Sequence, residues 1–303
     1  MWLLLLVSAH SLLWNTKTSV FSTTDNNFTT AIESLVLENG WFAWSVLPYI
    51  FANIGFWFTA IACDVYSTKI IGAASNEEIE YGNKLDRASR RKMAGITIGR
   101  HLPEAIFTMI IMQVPNAAVG KNFFQFLGTP PETMLPNFQI FLIHFACMQV
   151  LFDFFLYCEH RACHVWKYMW HYHREHHEVL TPIGLSAAHN DILDQALSAL
   201  CVYLAAFIVQ PHPVTYAISV AGILSELVIV HSGLDSPVLN FIGLRFLPGR
   251  ASTRLHDYHH MYSNHMGGKN FGHFFWIWDY TFGTQAVCNA STTSAAFKLN
   301  SEN

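Results

Sequence analysis

Residues 41–62, twenty-two in succession, carry no formal charge. As a helix rising about 1.5 Å per residue, such a run covers roughly 33 Å, enough to cross the hydrocarbon of a bilayer. Further apolar runs follow at residues 105–119 (continuing through 123–127), 138–151, 196–209 and 214–230. Turns rich in proline and glycine separate them, GTPPETMLP at residues 128–136 and Gln210-Pro-His-Pro213. The chain therefore reads as a first span followed by two helical hairpins. The second hairpin has arms of 14 and 17 residues, short enough to be half-inserted.

Composition agrees. Charged residues make up 13% of the chain and hydrophobic residues 52%, against about 25% charged in soluble domains. That excludes an ordinary soluble enzyme and a disordered chain. A formal net charge of −4 leaves no basic surface for nucleic acid. The six cysteines are scattered through apolar runs and make no disulfide framework. The expected fold class is all-α and integral to a membrane, with about four transmembrane or half-inserted helices under a cytosolic helical cap.

Charge asymmetry orients the chain. Residues 64–101 hold seven basic side chains, whereas residues 128–136 hold none. The positive-inside rule places the first loop in the cytoplasm and the second turn in the lumen. The N-terminus is then lumenal, in keeping with the glycosylation sequon Asn27-Phe28-Thr29. Four regions are expected: an N-terminal interfacial segment and linker (1–40), a transmembrane region with a basic cytosolic loop (41–135), a domain holding most of the histidines (136–286) and a flexible tail (287–303).

Of 17 histidines, 14 fall between His160 and His273. Three clusters stand out: His160 with His164, His173 with His176 and His177, and His256 with His259 and His260. Spacings of i, i+3 and i+4 share one helix face, so each cluster projects several imidazoles to one side. Converging neutral nitrogens are what a metal ion needs. Eight imidazoles exceed the four-coordinate shell of one zinc, so two metals fit the count better. His189 and His231, lying between the clusters, join the ligand set. His10, His101, His144, His212 and His265 read as ordinary histidines, and His171 and His273 are left out.

Residues 153–284 resemble the fatty acid hydroxylase superfamily of membrane di-iron oxygenases, which includes sterol desaturases and 4-methylsterol oxidases. Asp153, Tyr157, His160, Arg161 and His164 match its D-x3-Y-x2-H-R-x2-H pattern. His173, His176 and His177 match its second box, His256, His259 and His260 its third, and His231 the lone histidine between boxes. Residues 278–284 (WDYTFGT) match its W-D-x2-F-G-T close. Thr181-Pro-Ile-Gly-Leu185, Glu226 and His256-Asp257-Tyr258 look most like the 4-methylsterol oxidases. Residues 189–192 (HNDI) depart from the family's His-Pro-x-Glu.

The resemblance implies a fatty acid hydroxylase-like domain at 136–286 with two iron ions, O2 and electrons from NAD(P)H through an external donor, cytochrome b5 with its reductase. Zinc is expected as a substitute in recombinant samples. The eight box histidines are the catalytic set, and with His189 and His231 the metal ligands. Asp153, Glu226, Asp257 and Asp279 are expected to accept ring N–H groups of those ligands. Tyr157 belongs to the supporting set, and Arg161 pairs with one of the carboxylates or meets the donor protein. The implied protein is a multi-pass enzyme of the endoplasmic reticulum membrane, its metal face cytosolic. It oxidises a lipid C–H bond, foremost as a sterol C4-methyl monooxygenase. Alternatives are a sterol C5 desaturase, a sterol hydroxylase or a fatty-acid or sphingolipid hydroxylase. From another class comes a membrane zinc-binding or transport protein, which the strict helical spacing of boxes outside the best spans disfavours.

Overall fold

Each apolar run among the described residues becomes a helix between local start and stop signals. A computed structural model describes residues 42–67, 132–180, 182–263 and 266–286, together with positions 33, 36, 37, 92, 95–97 and 99. The sequon and interfacial segment, the apolar run at 105–127, most of the basic loop and the tail lie outside the described residues.

A π-helical turn, Phe42–Val46, leads into α1, Leu47–Val65. Helix α2, Phe138–Val165, starts where Asn137 accepts hydrogen bonds from the backbone of Gln139 and Ile140. Its 28 residues extend roughly 42 Å, so one end overshoots a bilayer's hydrocarbon. It stops at Trp166, in extended conformation, and the chain folds back as α3, Lys167–His173, and two 3-10 turns, His176–Glu178 and Gly184–Ala188.

Asp191 caps α4, Ile192–Val209, which ends at Gln210 in the left-handed region (φ 48°). Pro213 opens α5, Pro213–Val230, and His212 Nδ1 accepts from the backbone of Val214 as its cap. The expected hairpin is thus formed, with arms of 18 residues each. Shorter helices follow: α6, Pro237–Ile242, α7, Thr253–Tyr262, and α8, Ile277–Thr281. Among the described residues there is no strand, only an isolated bridge between Arg250 and Phe275. Four of these helical segments, Ala43–Val65, Phe138–Val165, Ile192–Val209 and Pro213–Val230, are long and apolar enough to cross a membrane.

The C-terminal ends of α1, α2 and α5 meet the N-terminal end of α4 at one end of the bundle. Tyr66, just past α1, bonds Ser236 just past α5 (2.8 Å). At the opposite end His212 bonds the carbonyl of Thr133 (2.8 Å). Apolar packing between α2, α4 and α5 buries Met148, Phe152, Cys201, Ala205 and Ile223.

Helices α1 and α5 approach closely because Gly55 has no side chain. A Cβ at that position would lie 2.5 Å from the carbonyl oxygen of Ala221, and Ser225 donates to the Gly55 carbonyl (3.2 Å). Gly55→Val is therefore expected to lower stability by about 1–3 kcal/mol through forced separation of the two backbones. Thermal unfolding in detergent would measure it, and an unchanged midpoint would refute the close packing.

Candidate metal centre

The histidines gather where the helices converge. Nine imidazoles form two groups whose ligand nitrogens lie within 4.8 Å of one another. One group holds His160, His164, His173, His177 and His259, the other His176, His231, His256 and His260, all buried. Helical geometry decides the division. In each of the two longer boxes, i and i+4 serve one group while i+3 serves the other. His173 and His177 join the first group and His176 the second, whereas His256 and His260 join the second and His259 the first. Residues at i+3 and i+4 point about 100° apart, so a box does not present one undivided face but straddles two centres. The second box is also not one helix, since His173 ends α3 and His176 and His177 lie on the 3-10 turn.

Hydrogen bonds fix the ring tautomers. Nδ1–H of His160 donates to the Phe271 carbonyl (2.9 Å), that of His259 to Lys269 (2.8 Å), that of His176 to His189 (3.3 Å), that of His231 to Leu227 (2.7 Å) and that of His260 to Val179 (3.1 Å). His173 Nδ1–H donates to the carboxylate of Asp194 (3.1 Å). Carbonyls and carboxylates can only accept, so in the neutral form all six rings present Nε2 as a bare lone pair. His176 and His231 then face each other lone pair to lone pair at 3.2 Å. His177 Nε2 meets Nε2 of His164, His173 and His259 at 3.1, 3.2 and 3.2 Å, with at most one hydrogen to share. His256 Nε2 lies 2.8 Å from that of His231 and 3.1 Å from that of His260.

Such crowding is repulsive between bare nitrogens and natural around a cation. With metal–nitrogen bonds of about 2.0–2.1 Å, ligands of one ion sit roughly 2.9–3.4 Å apart. The donor set therefore fits a pair of metal ions, with His160 Nε2, buried and unpartnered, as a further free donor.

Burial, reinforced by neighbouring imidazoles, holds the rings of His176, His177, His256, His259, His260 and His273 well below the usual histidine pKa. Burial also lowers that of His231, to about 4. These rings are neutral at pH 7 and free to bind metal. For His173 burial acts downward, but the Asp194 carboxylate outweighs it and raises the pKa. The sign for stability follows. Below about pH 6.5 unfolded imidazoles take up protons that these depressed rings refuse; His173 opposes them, and so does Asp257, whose raised carboxyl keeps a proton that the unfolded chain releases, but the depressed rings outnumber both. The metal-free protein is expected to lose stability as pH falls from about 6.5, each ring adding up to about 1.4 kcal/mol per pH unit. Melting temperatures between about pH 7.5 and 5.5 test this; a flat profile would mean water reaches the rings.

The other expected residues take different places. His189 is buried but lies in neither group. Its ring nitrogen stands 3.8 Å from the Glu178 carboxylate, and its main-chain carbonyl is what serves the site, through His176. Asp153 accepts from the backbone of Phe274 and Phe275 and the indole of Trp278 (2.8, 3.0 and 2.9 Å). Asp279 accepts from the backbone of Phe271 and Gly272 (2.9 and 2.8 Å) and from Thr284. Tyr157 bonds Thr284 (2.9 Å) and accepts from Arg161 (3.2 Å). These residues hold the loop whose Phe271 carbonyl orients His160, rather than the rings themselves. Glu226 pairs with Arg245 and Arg250, which tie the segment after α6 to α5. Asp257 is buried, with an unpartnered Oδ1 and a pKa pushed well above the carboxylate range by burial.

Two participants are new. Asp194 is the carboxylate that orients a ring, and it joins Cys163 and His173 in a further cluster (Sγ to Oδ1 3.8 Å). An acid in an 18-residue helix with no other charge is the signal that marks it. His273 stands beside both groups, its ring centroid 4.4 Å from His256 and 4.9 Å from His160.

A cavity of about 240 Å³ opens among α1, α2, α4 and α5 and reaches His160, His173, His176, His231 and His273. From His231 back to Tyr216 it follows fifteen residues of α5, roughly 22 Å. Its walls are mainly apolar, including Phe56, Phe152, Leu156, Val202 and Ile223.

Comparison with known proteins agrees with this picture. Residues 145–284 match the fatty acid hydroxylase family. The chain is 30% identical to methylsterol monooxygenase 1 of Gallus gallus over 60% of its own length and 59% of the relative's. It is 29% identical to the Danio rerio protein of that name over 61% of each chain. It is 28% identical to a very-long-chain aldehyde decarbonylase of Oryza sativa subsp. indica over 58% of its own length and 64% of the relative's. The matches thus span about three fifths of these relatives. No solved structure matches the chain.

Proposed function

From the membership of residues 145–284 in the fatty acid hydroxylase superfamily, we propose that this protein is a membrane di-iron oxygenase of a lipid C–H bond, acting as a sterol C4-methyl monooxygenase. The observation that carries the proposal is the apolar cavity ending on the two histidine groups. His160, His164, His173, His177 and His259 would hold one ion and His176, His231, His256 and His260 the other. Bound there, iron would supply the O2-dependent oxidation of an unactivated C–H bond.

The chain's own residues do the rest. The cavity walls exclude water and align a long apolar substrate entering from the bilayer. Phe271, Leu227, Lys269, Val179 and His189 fix ring orientation through their carbonyls, and Asp194 does so with a full charge. By the family resemblance, electrons would come from a separate donor, cytochrome b5 with its NAD(P)H-dependent reductase. Methylsterol chemistry rests on the two vertebrate relatives, and the rice relative raises a long-chain aldehyde as the second substrate class.

We place the protein in the endoplasmic reticulum membrane with the metal end cytosolic. The C-terminus of α1 lies at that end, and the seven basic residues of 64–101 come next in the sequence. Glycosidase-sensitive mass at Asn27 is the expected result; at Asn289 it would invert the topology. The functional test is complementation of a yeast strain lacking C4-methyl oxidation, with sterols profiled by mass spectrometry. Rescue with loss of 4-methylsterols is expected. An expressed, metal-loaded protein that leaves them unchanged would refute the sterol assignment.

A further inference from the structure

The cavity holds one polar loose end. Gln195, in the first turn of α4, lines it, and its Oε1 is buried with no hydrogen-bond partner. Among the described residues, no other non-histidine side chain lining the cavity carries such an orphan. A buried acceptor left unpaired is unfavourable unless a ligand completes it.

Its place is informative. Gln195 follows Asp194, the partner of His173, so it stands at the histidine end of the cavity and not at the tail end near Tyr216. The carboxylates of Asp194 and Glu159 line the same end, the first engaged by His173 and the second by the Cys163 thiol (3.0 Å). All three groups offer oxygen acceptors. What the Gln195 Oε1 lacks is a donor. A hydroxyl supplies one, whereas an aldehyde or ketone carbonyl brings only another acceptor.

We infer that Gln195 is a specificity-determining residue that accepts a hydrogen bond from the hydroxyl of an alcohol-bearing lipid. The hydroxyl end of that lipid lies beside the metal centre, its apolar body running down the cavity. The inference rests on the lipid-oxidation reading above and deepens it, because it separates the substrate classes of the two kinds of relative. The carbon oxidised is then one near the hydroxyl, not one at the end of the hydrocarbon tail.

The test is competition binding to the full-length protein in nanodiscs, loaded with redox-inactive zinc so that the histidine end of the cavity is held closed, with two matched pairs of probes. One pair is a 4-methylsterol and its 3-keto counterpart; the other is a long-chain primary alcohol and its aldehyde. Wild type is expected to bind the alcohol of a pair about tenfold more tightly than the carbonyl compound. Gln195→Met, of similar shape, is expected to bring the ratio to about one and leave carbonyl binding within about twofold, which also certifies the fold. Where that variant does not fold, Gln195→Asn withdraws the amide by one methylene and is expected to lower the ratio about threefold. A ratio unchanged by substitution, or a wild type preferring the carbonyl compound, overturns the inference. An alcohol preference confined to the long-chain pair upholds Gln195 and removes the sterol assignment. Binding of neither pair overturns both.

Discussion

His176→Ala is expected to abolish lipid oxidation and to empty the second histidine group, while the chain still inserts and accumulates. Its Nε2 faces that of His231 at 3.2 Å, and only three other rings complete the group. Losing one of four nitrogens leaves too few for a closed shell. Insertion depends on the four apolar helices, none of which contains this residue. Metal analysis should fall from two ions per chain towards one. The control is His171→Ala, an exposed position on α3, rather than His212, which caps α5 and bonds Thr133. Full activity in His176→Ala would remove the di-metal reading.

The next largest effect belongs to Asp194→Ala. Both carboxylate oxygens stand 3.1 Å from His173 Nδ1, and partners of this kind are worth about 10–100-fold in metal affinity. The expected loss is of that size and confined to the first group. Asp194→Asn keeps an acceptor for Nδ1–H but not the charge, so it should fall in between. Chelator competition gives the affinities, and the spectrum of the iron-loaded protein shows whether coordination changed. Equal affinities in all three proteins would assign Asp194 a packing role only.

How far the site was legible follows from which interactions are local. The three boxes were readable because i, i+3 and i+4 bring rings together within one or two turns, wherever the helix later packs. The α4–α5 hairpin was readable because Gln210-Pro-His-Pro213 ends one helix and starts the next. The division of the rings between two centres was not, since it depends on α7 bringing its rings against those of the 3-10 turn His176–Glu178. Asp194 escaped notice for the same reason: its partner is 21 residues away across two turns. His189 was expected as a ligand by its position between boxes, yet its carbonyl does the work, which no side-chain pattern reveals. Asp153 and Asp279, expected to accept ring N–H groups, instead hold backbone N–H groups of the loop at 271–284. A carboxylate's sequence position does not say which donor reaches it.

The crowded lone pairs have a consequence for the life of the protein in a cell. Without cations, bare imidazole nitrogens are pressed together at the convergence of four helix ends, and the lowest-energy escape is to splay those ends apart. A newly made chain that finds no metal is therefore the loosest form of this protein, and the one that quality-control proteases meet first. Its abundance should track metal supply even where its message does not, making the histidine centre also the sensor that decides whether the protein persists.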